Sequence, residues 1–278
     1  MKKNKLVSPV LKWVGGKRQL IDEIEKVLPK KYGTYYEPFI GGGAVLFALQ
    51  PDKAIINDIN SELINLYNII KNDVEELISD LSKYKNESEY FYEVREMDRR
   101  KEIYNNLTSV EKASRMVYLN KTCFNGLFRV NKAGEFNSPF GNYKNPNIIN
   151  EVTLRAVSNY FNKANITFLN GDFEDALRNI RKGSFVYLDP PYDPVSSSAN
   201  FTGYDKGGFG RQQQIRLKEL CDRLDKKGVK FLLSNSSTDF INELYSKYEI
   251  ITVKAKRNIN SNGDLRGEVD EVLVRNYE

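Results

Sequence analysis

The sequence predicts a doubly wound α/β sheet whose last strand is antiparallel and which carries a largely helical insertion. Short apolar strands alternate with amphipathic helices, a pattern that is typical of a sheet covered by helices on both faces. Between residues 60 and 151 this alternation stops and helical and then turn-rich patterns replace it. The last two strands are joined through 260–263, Asn-Ser-Asn-Gly, a hairpin signal that predicts antiparallel pairing.

Seven strands are predicted from runs that are rich in β-branched and aromatic residues. They cover residues 34–39, 54–57, 166–170, 185–188, 229–234, 250–253 and 269–275. Helices are expected between them, because apolar residues repeat at helical spacing over 20–28, before Pro29, and over 217–224, before Gly228.

The interruption of the alternation predicts two domains. Residues 61–122 have a helical pattern, with Leu63, Leu66, Tyr67 and Ile70 on one face, and residues 124–146 are aromatic, basic and turn-rich. We therefore expect residues 61–150 to form an insertion that packs closely on a discontinuous sheet domain, residues 1–60 and 151–278.

Composition excludes several kinds of site. The 278 residues include 42 basic and 37 acidic side chains, giving a net charge of +5, with two cysteines and no histidine. Zinc clusters, histidine bases and histidine-ligated metals are thereby excluded, and no metal is expected. No apolar run approaches the ~20 residues of a membrane span, so we expect a cytoplasmic chain. Basic residues concentrate in 1–31 and 95–145, which indicates either nucleic-acid contacts or a solvated surface.

Three strand ends carry residues that suit a ligand. Glycines at 41–43 follow the first strand and open a helix, where either a ligand or tight packing selects glycine. The run lacks the Gly-x-Gly-x-x-Gly and Gly-Lys-Ser/Thr patterns, which argues against dinucleotide and P-loop sites. Asp58 ends the next strand, where it is either placed to bind a ribose diol or simply an exposed strand-end carboxylate. Asp172 and Phe173 suit an adenine ring, although Asp172 alone is also a helix N-cap.

The most specific motif is Asp-Pro-Pro-Tyr at residues 189–192, directly after a buried strand. The prolines fix the backbone between a carboxylate and an aromatic ring. An exocyclic amine fits this arrangement, because one N–H donates to Asp189, the other to the Pro190 carbonyl, and the base stacks on Tyr192. The nitrogen lone pair is then free to attack an electrophile, and its proton leaves afterwards.

Further motifs extend over nearly the whole chain. They lie at 11–17, 38–43, 57–61, 119–129, 134–141, 199–202 and 259–263. With them the sequence resembles the DNA adenine N6-methyltransferases of the Dam type, in the alpha group. The resemblance implies a Rossmann-like methyltransferase sheet and makes residues 61–150 a DNA target-recognition domain.

The resemblance also implies S-adenosylmethionine as the cofactor. It implies that Lys17 pairs with the cofactor carboxylate, Asp58 binds its ribose, and Asp172 with Phe173 hold its adenine. The residues that it places at the cofactor are Trp13, Lys17, Pro38, Phe39, Ile40, Gly41, Gly43, Asp58, Asp172, Phe173 and Asp189. The glycines need not hold phosphate, since this cofactor has none.

In the insertion, the resemblance implies that Phe124 enters the base stack and that Arg129 reads a guanine, a bidentate contact worth ~1–3 kcal/mol of discrimination. The residues that it places on DNA are Lys12, Phe124, Asn125, Leu127, Arg129, Asn131, Pro139 and Tyr143. Three positions depart from the family pattern, Phe124 (often tyrosine), 120–122 Asn-Lys-Thr (commonly Asn-Arg-Tyr) and Asn142 (commonly arginine). These three departures leave the predicted methyl-transfer chemistry unchanged, but they bear on which DNA sequence is preferred.

Together the residues and the resemblance predict methylation of a flipped adenine in double-stranded DNA, within GATC, with Asp189, Pro190 and Tyr192 as the catalytic residues. We expect a monomer that acts alone or beside a restriction endonuclease of the same site. The alternatives are methylation of N4-cytosine or of an RNA amine, and a catalytically silent DNA-binding protein. A dinucleotide oxidoreductase is excluded by the missing glycine pattern.

Overall fold

A computed structural model describes residues 3–194, 208–256 and 268–278. Its seven strands form one sheet. They are β1 (Tyr35–Glu37), β2 (Lys53–Asp58), β3 (Asn165–Asn170), β4 (Phe185–Leu188), β5 (Lys230–Ser236), β6 (Glu249–Lys256) and β7 (Glu268–Arg275). All seven predicted strands are therefore present, each within a few residues of its expected limits.

The strand order is β3-β2-β1-β4-β5-β7-β6, and the first five strands are parallel. β7 lies antiparallel to both β5 and β6. In the pair with β6, Glu249 lies opposite Arg275. The prediction of a doubly wound sheet with an antiparallel last strand is thus confirmed. The connecting residues 260–263 and the motif at 199–202 lie outside the described residues.

The strand order reverses between β1 and β4. From β1 the chain runs outward to β2 and β3, and it then returns to the centre for β4 and β5. Open α/β sheets bind ligands at the carboxyl ends of the strands beside such a reversal. Every residue of β1 and β4 is buried, as expected for central parallel strands covered on both faces.

Eleven α-helices occur in the described residues. They are α1 (Ile21–Lys26), α2 (Ala44–Leu49), α3 (Ser61–Asn72), α4 (Val74–Leu81), α5 (Ser88–Glu96), α6 (Lys101–Asn106), α7 (Ser109–Thr122), α8 (Glu151–Lys163), α9 (Phe173–Ala176), α10 (Arg211–Lys226) and α11 (Asp239–Leu244). No helix of these described segments is both long and apolar enough to cross a bilayer.

Helices α3 to α7 occupy the stretch that the sequence predicted to be helical. α3 begins at an Asn60 cap, and α7 begins at a capping box formed by Thr108 and Glu111. α3 packs against both α7 and α8, and one continuous hydrophobic core includes residues of the sheet and of these helices.

After α7 the chain forms two isolated antiparallel bridges, Cys123 with Phe140 and Val130 with Phe136. The division into two domains stays a prediction.

Candidate active site

The glycine run between β1 and α2 packs against Trp13. A Cβ atom on Gly41, whose φ is +46°, would lie 2.8 Å from Trp13 Cδ1, and one on Gly42 would lie 2.8 Å from Trp13 Cβ. The Trp13 ring in turn stacks on Phe128 of the insertion, with centroids 5.0 Å apart. Close packing therefore accounts for these glycines on its own. A ligand-lining role for Pro38, Phe39, Ile40, Gly41 and Gly43 stays a prediction.

The end of β2 holds this loop in place. Asp58 accepts a hydrogen bond from the Gly41 backbone N–H (3.0 Å) with one oxygen and from the Asn60 N–H (2.9 Å) with the other. The Asn57 amide donates to the Pro38 carbonyl (3.0 Å) and to the Gly171 carbonyl (2.9 Å). Burial raises the pKa of Asp58, and the backbone donors oppose that rise. A carboxylate with about four acceptor sites still has capacity for ribose hydroxyls.

Ile59, next to Asp58, is 56% exposed at the same sheet edge. A large exposed apolar side chain beside a strand-end carboxylate suits the face of a base, and Ile59 was not selected from the sequence. Its signal was present, because it directly follows the strand-end carboxylate.

Asp172 caps a helix. Its side chain accepts a hydrogen bond from the Glu174 backbone N–H (2.9 Å) at the start of α9, which is the alternative role that the sequence left open. Both of its oxygens also accept from Arg216 of α10, at 2.7 and 2.9 Å. The Arg216 guanidinium lies 4.7 Å over the Phe173 ring. Arg216 was not selected from the sequence, and an adenine contact by Asp172 stays a prediction.

Three phenylalanine rings cluster beside Asp172. The centroid of Phe39 lies 5.2 Å from that of Phe173 and 5.7 Å from that of Phe209, and the last two are 6.0 Å apart. Phe173 is buried and Phe39 is partly exposed. The structure thus brings together Phe39 and Phe173, from two separate motifs, and adds Phe209.

Asp189 follows β4 and forms an ion pair with Lys17, whose Nζ lies 2.8 Å from Asp189 Oδ1. The Lys17 side chain is 6% exposed, and its Nζ also donates to the Gly15 carbonyl (2.5 Å). The same Nζ lies 4.6 Å from the centroid of the Tyr192 ring. Lys17 therefore contacts both the carboxylate that is predicted to accept from a target amine and the ring that is predicted to stack on the base. Its predicted pairing with a cofactor carboxylate is untested.

Charges are concentrated around this pair. The pKa of Asp189 is raised to about 6, because burial and the charge of Glu271 raise it by more than Lys17 lowers it. Glu37, which is buried and accepts a hydrogen bond from the Tyr35 hydroxyl (2.7 Å), has a pKa well above its usual range because of burial. The site thus combines one buried cation with several carboxyl groups.

A buried polar network supports the 189–192 loop from behind. The Gln214 amide donates to the Pro191 carbonyl (2.8 Å), and the Asn235 amide donates to Gln214 (3.1 Å). The Asp193 backbone N–H donates to Asn235 (3.0 Å), and Thr238 donates to the Asp193 carboxylate (2.8 Å). None of these supporting residues was selected from the sequence, although the polar run 234–238 at the end of an apolar strand was a visible signal.

In the insertion, Phe124 is 55% exposed although its backbone is fixed. Its N–H donates to the Pro139 carbonyl (2.8 Å), and Asn125 after it has a positive φ of 58°. The Asn120 amide donates to the carbonyls of Lys12 (2.8 Å) and Gly126 (3.1 Å), which ties Lys12 to this turn. An exposed aromatic ring on a rigid turn fits the predicted wedge.

Asn137 holds the Arg129 side chain. Arg129 Nε donates to the Asn137 side-chain oxygen (2.7 Å), and its Nη2 donates to the Asn137 carbonyl (3.2 Å). Asn131 instead closes the adjoining turn, because its side chain accepts from the N–H groups of Ala133 (2.9 Å) and Glu135 (3.0 Å). Asn131 thus has a structural role there, and a DNA contact is untested.

The remaining predicted DNA contacts lie around the same turn. Tyr143 is 39% exposed, and its ring covers Gly141, where a Cβ would lie 2.5 Å from Tyr143 Cε2. Pro139 is exposed, whereas Leu127 is only partly exposed and its carbonyl accepts from the Ser138 hydroxyl.

Comparison with known proteins gives consistent matches. The family model described as "D12 class N6 adenine-specific DNA methyltransferase" matches residues 13–259. A type II methyltransferase of Lactococcus lactis subsp. cremoris is 43% identical over 100% of this chain and 98% of its own length. Another type II methyltransferase, of Methanocaldococcus jannaschii, is 44% identical over 98% of this chain and 99% of its own length. The DNA adenine methylase of Escherichia coli strain K12 is 38% identical over 99% of this chain and 96% of its own length.

Proposed function

We propose that this chain, which belongs to the D12 class of N6 adenine-specific DNA methyltransferases, transfers a methyl group from S-adenosylmethionine to the adenine of GATC. Membership of this family makes it an adenine-specific DNA methyltransferase. The cofactor, the recognition site and the residue roles below are our proposal.

The observation that carries the proposal is the group of Asp189, Pro190 and Tyr192 beside the reversal in strand order. The target amine donates one N–H to Asp189 and one to the Pro190 carbonyl, while the base stacks on Tyr192. Both acceptors draw on the amine hydrogens, so the nitrogen lone pair is available for the methyl group. Lys17 lies 2.8 Å from Asp189 Oδ1, and the carboxylate retains further acceptor sites for the amine.

The residues at the neighbouring strand ends fit the cofactor. Asp58 retains acceptor capacity for a ribose diol, and the exposed side chain of Ile59 with the partly exposed Phe39 offers apolar surface to an adenine ring. Lys17 supplies the cation for the cofactor carboxylate. When bound, the cofactor supplies an electrophilic methyl group on a sulfonium, so the chemistry needs no histidine.

The insertion reads the DNA. Phe124 fills the space left by the flipped adenine, and Arg129 donates to a guanine, with Lys12 and Tyr143 at the outer guanine. Flipping costs a few kcal/mol, which stacking on Tyr192 and insertion of Phe124 offset. A monomer and a restriction endonuclease of the same site stay predictions.

The test is to incubate purified protein with S-adenosylmethionine and unmethylated plasmid. Nucleoside mass spectrometry is then combined with digestion by endonucleases that differ in their response to GATC methylation. We expect N6-methyladenine together with GATC-specific protection. N6-methyladenine without that protection would overturn the recognition site, and N4-methylcytosine alone would overturn the target base.

The ionisation of Asp189 predicts a pH dependence. We expect kcat/KM to fall as the pH drops through about 6, because protonated Asp189 can no longer attract the amine hydrogens. Lys17→Met should move this midpoint to higher pH, since the Lys17 charge lowers the pKa of Asp189. The measurement is kcat/KM between about pH 5 and pH 9 at saturating cofactor. An unchanged midpoint in Lys17→Met would contradict the assignment of this pH dependence to Asp189.

A further inference from the structure

Tyr192 is held at its hydroxyl as well as at its ring. The hydroxyl donates a hydrogen bond to Glu271 Oε2 at 2.8 Å, while Lys17 Nζ lies 4.6 Å from the ring centroid. No motif of the sequence analysis contained Glu271. It comes from β7, about 80 residues further along the chain.

The antiparallel strand β7 brings Glu271 to this place. Glu271 pairs with Ser236 at the carboxyl end of β5 and with Val253 of β6, so its backbone is fixed on both sides. Successive side chains of a strand alternate between the two faces of the sheet. Asp270, the preceding residue on β7, is exposed, whereas Glu271 is partly buried.

We propose that Glu271 is a positioning residue for methyl transfer, which acts through the Tyr192 hydroxyl to fix the ring that stacks on the target base. The proposal rests on the function proposed above. The Tyr192 ring is partly exposed, and a partly exposed tyrosine can swing about its Cα–Cβ bond. A hydrogen bond to a carboxylate, worth more than one to a neutral acceptor, holds the hydroxyl end of the ring in place before the base arrives.

The carboxylate has an electrostatic effect as well. As the amine lone pair forms its bond to the methyl carbon, the bond from that carbon to sulfur breaks, and the nitrogen carries positive charge until its proton leaves to solvent. An aromatic face attracts a cation, and a phenol that donates to a carboxylate has a more electron-rich ring. Glu271 thus stabilises the charge that develops over Tyr192 without touching the reacting atoms.

The experiment compares kcat and KM for plasmid methylation by Glu271→Ala, Glu271→Gln, Tyr192→Phe and the double variant Glu271→Ala/Tyr192→Phe. We expect Glu271→Ala and Tyr192→Phe each to lower kcat by roughly 10- to 100-fold, the factor that corresponds to a hydrogen bond to a charged group. The double variant should lose no more than either single variant. Glu271→Gln should lose less, because its amide oxygen still accepts from the hydroxyl.

Asp270→Asn is the matched control, since it removes an exposed carboxylate from the same strand. We expect it to keep the wild-type kcat, and we expect the KM for DNA and for S-adenosylmethionine to change little in every variant. Losses that multiply in the double variant, or an unchanged kcat in Tyr192→Phe, would overturn the proposal. Tyr192→Phe tests the proposal even if Glu271→Ala fails to fold, because it removes the same hydrogen bond. A wild-type protein that makes no methyladenine would instead overturn the proposed function.

Discussion

Asp189→Ala is expected to lower kcat by roughly 100- to 1000-fold or more while DNA binding stays measurable. In the proposed mechanism Asp189 is the ionised acceptor for the target amine, and the alanine variant leaves only the Pro190 carbonyl. The residues that we propose to bind DNA lie on other segments, at Lys12 and on the turn at Phe124. Turnover is measured with labelled S-adenosylmethionine and plasmid, and binding is measured by fluorescence anisotropy.

Two further variants separate charge from hydrogen bonding. Asp189→Asn retains an acceptor oxygen but has no charge, so its kcat should lie between those of the wild type and the alanine variant. Asp175→Asn, at an exposed carboxylate of α9, should keep full activity. Thermal unfolding of each variant shows whether loss of the Lys17 ion pair destabilises the fold, since Lys17 is 6% exposed. Wild-type turnover in Asp189→Ala would rule out our assignment.

The sheet could be predicted because its central strands are unambiguous. β4 consists of four buried residues, Phe-Val-Tyr-Leu, and ends at an aspartate followed by two prolines, so both its type and its end are visible in the sequence. β6 extends beyond its predicted end at Val253 into Lys254 and Lys256. Lysines weaken a strand prediction from composition, and only the neighbouring strand β7 supplies the pairing that extends it.

The strand-end residues of the site could also be predicted, because the topology places the carboxyl ends of parallel strands together. Their partners could not. Arg216 and Glu271 reach the site from α10 and β7, and nothing in the local sequence around them specifies Asp172 or Tyr192 as a partner. The cofactor contact of Lys17 stays a prediction, and its ion pair with Asp189, a largely buried carboxylate that needs a cation, was not foreseen from the sequence.

The proposed recognition of a guanine by Arg129 depends on how the Arg129 guanidinium is held. Asn137 accepts from Arg129 Nε and Nη2, which fixes the orientation of the planar group. The Arg129 side chain lies on the same short segment as Phe124, between the two isolated bridges of the insertion. A guanidinium held in this way loses little conformational freedom when it binds the O6 and N7 acceptors of a guanine.

Arg129→Ala should therefore relax discrimination at one guanine of the site by roughly 5- to 150-fold, which corresponds to ~1–3 kcal/mol. The measurement is the ratio of kcat/KM for the GATC duplex to that for duplexes with each base pair replaced in turn. Only the ratio for the guanine that Arg129 reads should fall. Lys132→Ala removes an exposed cation from the neighbouring turn, so it should weaken binding equally for all duplexes and leave every ratio unchanged. If Arg129→Ala behaves in the same way as Lys132→Ala, Arg129 binds phosphate and another residue reads the guanine.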